Sequence, residues 1–162
     1  MRRLILMRHA KSDWSHGTSD HERPLNPRGR RASVALGDWL RTVAAVPDAV
    51  LCSSAQRTRD TLDGLDLPRE TQVTYTRALY LASAEDILAV LRQARGDCVL
   101  LIAHNPGIAT AARHCVTAPP DHSGFARYPS GATLVADFDI DDWAKANWEK
   151  ANARHFTVPR DL

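Results

Sequence analysis

Two histidines stand where strand-like apolar runs end. Leu4-Ile5-Leu6-Met7 leads into Arg8-His9 and then Ala10-Lys11-Ser12; Val99-Leu100-Leu101-Ile102-Ala103 leads into His104 and turns through Asn105-Pro106-Gly107. In an open α/β sheet, ligands gather just beyond the carboxyl ends of the strands. Arg57 adds a second guanidinium. With Ser54 as N-cap it is the third residue of a helix, where the macrodipole disfavours a cation by ~0.3–1 kcal/mol. The placement makes sense beside a bound anion, because helix N-termini and guanidinium forks both suit phosphate. Two imidazoles and two guanidiniums delivered in this way make phosphoryl transfer the first chemistry to test.

Each residue also has a plainer reading. Arg57 alone reads more simply as a surface arginine paired with Asp60 at i+3, and a histidine at a strand end is often satisfied by a backbone carbonyl. The seven histidines raise metal binding, yet no HExxH, HxH or Cys/His cluster of ligand spacing is present. His16, His21, His114, His122 and His155 read as solvated side chains. Arg28, Arg30 and Arg31, with Arg23 nearby, form a basic group without interleaved aromatics, so a nucleic-acid partner is not expected. Glu85 and Asp86 follow Ser83 in an S-x-x-D pattern, which favours helix capping over a general-acid role.

The elements that must position these groups follow from periodicity and punctuation. Residues 3–8 predict the first strand and 10–25 a long polar loop of the kind usually tied to function. Asn26-Pro27 caps a helix to about Val43, with Ala32, Leu36, Trp39, Leu40 and Val43 on one face. A strand at 49–52 precedes a helix capped by Ser53-Ser54. A short strand spans 72–76, and a helix opens at Ser83 with Ile87, Leu88 and Leu91 inward. Then come the strand at 98–103, a helix from Pro106 to about Cys115, a loop at 117–130 and a half-buried strand at 132–138. The remainder predicts a helix and an edge strand. Strands alternating with helices indicate βαβ units and a mostly parallel sheet covered on both faces.

Composition sets the outer bounds. The 162 residues are 44% hydrophobic and 25% charged, with a formal net charge of +2 and a mean hydropathy of −0.33. No segment approaches the ~20 apolar residues of a membrane span, so no membrane partner is expected. Arg2-Arg3 before an apolar run resembles a signal peptide, but the run stops at Arg8, short of the ~7–15 residues such a core needs. A buried strand and a cytoplasmic location are expected instead. Cys52, Cys98 and Cys115 lack paired spacing and read as buried thiols in a reducing compartment.

Leu6-Met7-Arg8-His9-Ala10-Lys11-Ser12-Asp13-Trp14 resembles the signature of the histidine phosphatase superfamily, in its short SixA-type branch of phosphohistidine phosphatases. Further pieces match in order: Asp20-His21-Glu22-Arg23-Pro24-Leu25-Asn26 with Gly29, Ser53-Ser54-Ala55-Gln56-Arg57-Thr58 with Thr61, Leu79-Tyr80, and His104-Asn105-Pro106-Gly107. The strand after Tyr128-Pro129-Ser130-Gly131 also resembles the family's closing strand. The likeness runs from residue 4 to about 143.

The resemblance implies a phosphoglycerate mutase-like, three-layer α/β/α sandwich with a mostly parallel central sheet, residues 1–162 forming a single domain. It implies a phosphate pocket of Arg8, His9, Arg57 and His104, with His9 the nucleophile that becomes phosphorylated. His104, if protonated, would be a third cationic donor. No metal or cofactor is called for. Two departures narrow the substrate. Ser15 stands where many larger relatives carry an asparagine, and the short segment 65–83 holds only Asp66 and Glu70 as carboxylates, with Glu85 just beyond. A site without an evident proton donor, and with little material for a cap, suits a phosphohistidine on a signalling or phosphocarrier protein. Small phosphate esters are the alternative substrates, and a non-catalytic phosphate-binding module is a weaker one.

Overall fold

The computed structural model describes all 162 residues. Its frame is a six-stranded sheet formed by β1 (Arg2–Arg8), β2 (Ala49–Ser53), β3 (Gln72–Thr76), β4 (Cys98–Ala103), β5 (Thr133–Phe138) and β6 (Ala151–Thr157), in the order β3-β2-β4-β1-β5-β6. The first four strands of that order run parallel; β5 and β6 join antiparallel. Four helices connect and cover them: α1 (Pro27–Thr42), α2 (Gln56–Leu65), α3 (Ala84–Leu91) and α4 (Gly107–Cys115).

Strand side chains alternate between faces, and the two central strands are apolar in both directions. Ile5, Met7, Leu100 and Ile102 pack with Val50 and Cys52 against Leu36 and Leu40 of α1 and Leu62 and Leu65 of α2. Leu4, Leu6, Val99 and Leu101 point the other way, into Ile87, Leu88 and Leu91 of α3 and Ile108 and Ala111 of α4. These two cores make the three layers. Truncating a central residue such as Leu100 to alanine costs about 2–5 kcal/mol, so the strand ends sit on a rigid base.

Local signals start the helices largely as expected. Asn26 accepts from the Gly29 amide at 2.8 Å with Pro27 in the first turn of α1, and Ser83 accepts from the Asp86 amide at 3.1 Å to cap α3. Three expectations change. The N-cap of α2 is Ala55, without a side-chain bond, because the hydroxyls of Ser53 and Ser54 are both taken by histidines. β5 is buried along its whole length, rather than half-buried. It lies inside the sheet between β1 and β6, and its Asp137 is held by Arg3 at 2.8 Å and Arg154 at 3.1 Å. The helix expected after β5 is only a 3-10 turn at Trp143–Lys145, while the edge strand is present as β6.

Candidate active site

β1 and β4 lie side by side in parallel register, Met7 opposite Ile102 and Arg8 opposite Ala103. The residues that follow, His9 and His104, therefore leave the sheet together. Their ring centroids are 5.3 Å apart, tilted by 54°. β2 ends beside them, and the Ser53 hydroxyl meets His104 Nε2 at 2.7 Å. His9 Nδ1 faces the Ala10 carbonyl at 2.7 Å. A carbonyl can only accept, so Nδ1 carries the hydrogen and Nε2 of the neutral ring carries the lone pair.

Arg57 enters from the first turn of α2, and the loop after β1 supplies its partner. Its Nη1 donates to the Asp20 carbonyl at 2.7 Å and its Nη2 to the Asp20 carboxylate at 3.1 Å. The same carboxylate accepts from the Tyr80 hydroxyl and from Arg23 Nη2 at 3.1 Å. Arg23 also donates to Ser12 and lies over the Trp14 ring, 3.6 Å from its centroid. Thr61 of α2 joins the two halves: its hydroxyl accepts from the Ala10 amide at 3.0 Å and donates to the Arg57 carbonyl at 2.8 Å.

Burial, with two guanidiniums nearby, disfavours protonation of both imidazoles. His9 lies well below the ordinary histidine value, chiefly through desolvation, with His104, Arg8 and Arg57 pushing the same way against the Ala10 bond. Desolvation likewise pulls His104 down to about 3, assisted by Arg57 and opposed by Asp20. His104 is thus a neutral hydrogen-bonding group rather than a third cation. Asp20 is held well below the usual carboxylate range by the Tyr80, Arg23 and Arg57 bonds.

These residues line a cleft of about 450 Å³. Six buried side-chain polar atoms in the chain have no hydrogen-bond partner, and five belong to the cleft: Nε of Arg8, Arg23 and Arg57, His104 Nδ1, and Asn105 Oδ1. An unsatisfied buried polar group costs about 1–3 kcal/mol. A cluster of them suits a ligand rich in acceptor oxygens, and a neutral imidazole with a free lone pair stands beside it.

The structure brings all four sequence-predicted residues, Arg8, His9, Arg57 and His104, into this one cleft. It corrects their surroundings. Arg57 pairs with Asp20, and Asp60 is taken by Gln56 at 2.8 Å and the Leu25 amide at 3.1 Å. His21 is not a solvated side chain: its Nε2 meets the Ser54 hydroxyl at 2.8 Å, and it stands edge-on to Tyr80 with centroids 4.8 Å apart. His122 is also engaged, with Asp161 at 2.7 Å. Arg23 belongs to the cleft rather than to the basic group of α1. Asp20 and Tyr80 are assigned no role from the sequence, and Ser53 is expected only as a helix cap. Asp20 is the one carboxylate lining the cleft; Asp66, Glu70 and Glu85 lie outside it.

The profile of the histidine phosphatase superfamily (branch 1) matches residues 4–80. A solved structure from Nakamurella multipartitia, assigned as a phosphohistidine phosphatase SixA, is 31% identical, with a TM-score of 0.86 over 98% of this chain and 96% of that one. The chain belongs to the histidine phosphatase superfamily, in its SixA-type branch. An uncharacterized protein of Mycobacterium leprae is 31% identical over 166 residues, which is 95% of this chain and all of that protein. The fold extends to a protein histidine phosphatase SixA complexed with tungstate, at 19% identity and a TM-score of 0.77 over 98% of both chains. Family membership agrees with the phosphoglycerate mutase-like architecture and makes the chain an enzyme of phosphatase type.

Proposed function

We propose that this phosphatase removes the phosphoryl group from phosphohistidine on a signalling or phosphocarrier protein, through a phosphohistidine intermediate at His9. The observation that carries the reading is the cluster of unpartnered polar atoms around two neutral, buried imidazoles. Arg8, Arg57 and His104 Nδ1 take the phosphoryl oxygens, over which charge spreads in the transition state. His9 Nε2 attacks phosphorus in line as the bond from phosphorus to the substrate imidazole breaks. That imidazole keeps the proton on its other nitrogen and leaves neutral. The new positive charge on His9 is held by Nδ1–H against the Ala10 carbonyl. Water then attacks phospho-His9, the P–N bond breaks, and His9 returns neutral as phosphate leaves with both water protons. The guanidiniums supply the charge neutralisation that metals provide in other phosphatases.

The choice of leaving group rests on what the cleft lacks. An alkoxide needs a proton as it departs, and the one carboxylate lining the cleft, Asp20, is held ionised. An imidazole that already carries its proton needs no donor. Turnover of a phosphohistidine peptide, measured beside small phosphate esters, tests this. A strong preference for the peptide is expected; a strong preference for esters overturns the assignment.

A further inference from the structure

A second cleft, of about 410 Å³, adjoins the first and shares Lys11 and Ser130 with it. It lies between the first turn of α1, the loop before β5 and the residues after β6. Lys11, Arg28, Arg127 and Arg160 line it, and no carboxylate does. None of the four is in an ion pair. Asp161, next to Arg160, is turned away to His122 at 2.7 Å. Seven cations and one carboxylate line the two clefts together, although the whole chain carries a net charge of only +2. The positive charge is gathered on this face.

We propose that this basic groove binds acidic side chains flanking the phosphohistidine on the substrate protein, an inference that rests on the proposed function. The two clefts differ in the way that separates carboxylates from a second phosphoryl group. In the first, guanidinium atoms are buried and unpartnered, as a tightly gripped dianion requires. In the groove all four cations are exposed. Exposed cations form screened, exchangeable pairs, each of small worth, which suits several solvated carboxylates spread along a protein surface. Such pairs favour encounter and orientation of a charged partner. Continuity through Lys11 and Ser130 puts them next to the phosphoryl group being transferred.

The test uses two phosphohistidine peptides alike except for flanking glutamates or glutamines, with phosphoramidate as a small donor. For the unaltered protein at low salt, kcat/KM is expected to be about tenfold higher for the glutamate peptide, as a few surface ion pairs allow. The preference should shrink at high salt and vanish in the double variant Arg127→Glu/Arg160→Glu, with phosphoramidate turnover unchanged. Equal turnover of the two peptides overturns the groove while sparing the phosphohistidine assignment. So does a variant that keeps the preference, or one that loses activity only on a small bisphosphorylated compound. If neither peptide is hydrolysed, the phosphohistidine assignment falls and binding of the unphosphorylated peptides decides the groove. Tighter binding of the glutamate peptide that the variant loses upholds it; equal binding overturns it.

Discussion

Ser53 and His104 share a buried hydrogen bond of 2.7 Å that joins the ends of β2 and β4. It engages one ring nitrogen of His104 and leaves the other, Nδ1, without a protein partner. In the proposed mechanism this bond fixes the imidazole so that Nδ1 can meet a phosphoryl oxygen. Ser53→Ala removes it without changing charge. A lost hydrogen bond of about 0.5–1.5 kcal/mol should lower kcat roughly three- to tenfold, with KM little changed. Steady-state kinetics on a phosphohistidine peptide reads the split. A change confined to KM would show that the bond serves binding alone.

Acid should destabilise the protein through its imidazoles. His104 is pulled from 6.5 down to about 3 by burial, and His9 is shifted in the same direction. Between those values the unfolded chain binds more protons than the native one. Stability held above pH 6.5 is thus lost as pH falls toward 3, by at most about 1.4 kcal/mol per pH unit for each group. Urea unfolding between pH 7 and 4 should show a steeper decline for the unaltered protein than for His104→Asn. Parallel declines would contradict the burial effect. Turnover should persist as pH falls below 6.5, because burial holds the His9 imidazole well below its ordinary value.

Thr61→Val breaks the bridge between the strand exit and α2. Its hydroxyl bonds the Ala10 amide at 3.0 Å and the Arg57 carbonyl at 2.8 Å. Valine leaves the Ala10 amide buried without a partner, at a cost of about 1–3 kcal/mol. Thermal unfolding should fall by several degrees, since 1 kcal/mol is worth about 2–4 °C at this size. Activity measured well below the transition should fall too, as Ala10 also holds His9 Nδ1.

The parts of the site visible in the sequence are those fixed by short-range pattern. Arg8, His9 and His104 were legible because charged or polar residues interrupt apolar runs at strand length. That His9 and His104 meet depends on the register of β1 against β4, which no local pattern encodes; the family resemblance supplied it. Asp20 and Tyr80 were not legible as site residues. They reach Arg57 from the loop after β1 and from beyond β3, so their roles exist only in the folded chain. The Ser54 cap failed for the same reason: His21, distant in sequence, takes the hydroxyl that a local rule assigns to the helix. β5 misled because alternation normally marks one solvated face, yet Thr133 and Asp137 are buried polar residues inside the sheet.

The central claim is tested by finding the phosphoryl group on the enzyme. A reaction with a labelled phosphohistidine peptide is quenched within one turnover, and the labelled residue is identified by mass spectrometry under alkaline conditions. The account predicts acid-labile label on His9, and no label or turnover in His9→Ala. Label on His104 or another residue, or a His9→Ala protein that still turns over substrate, would contradict it.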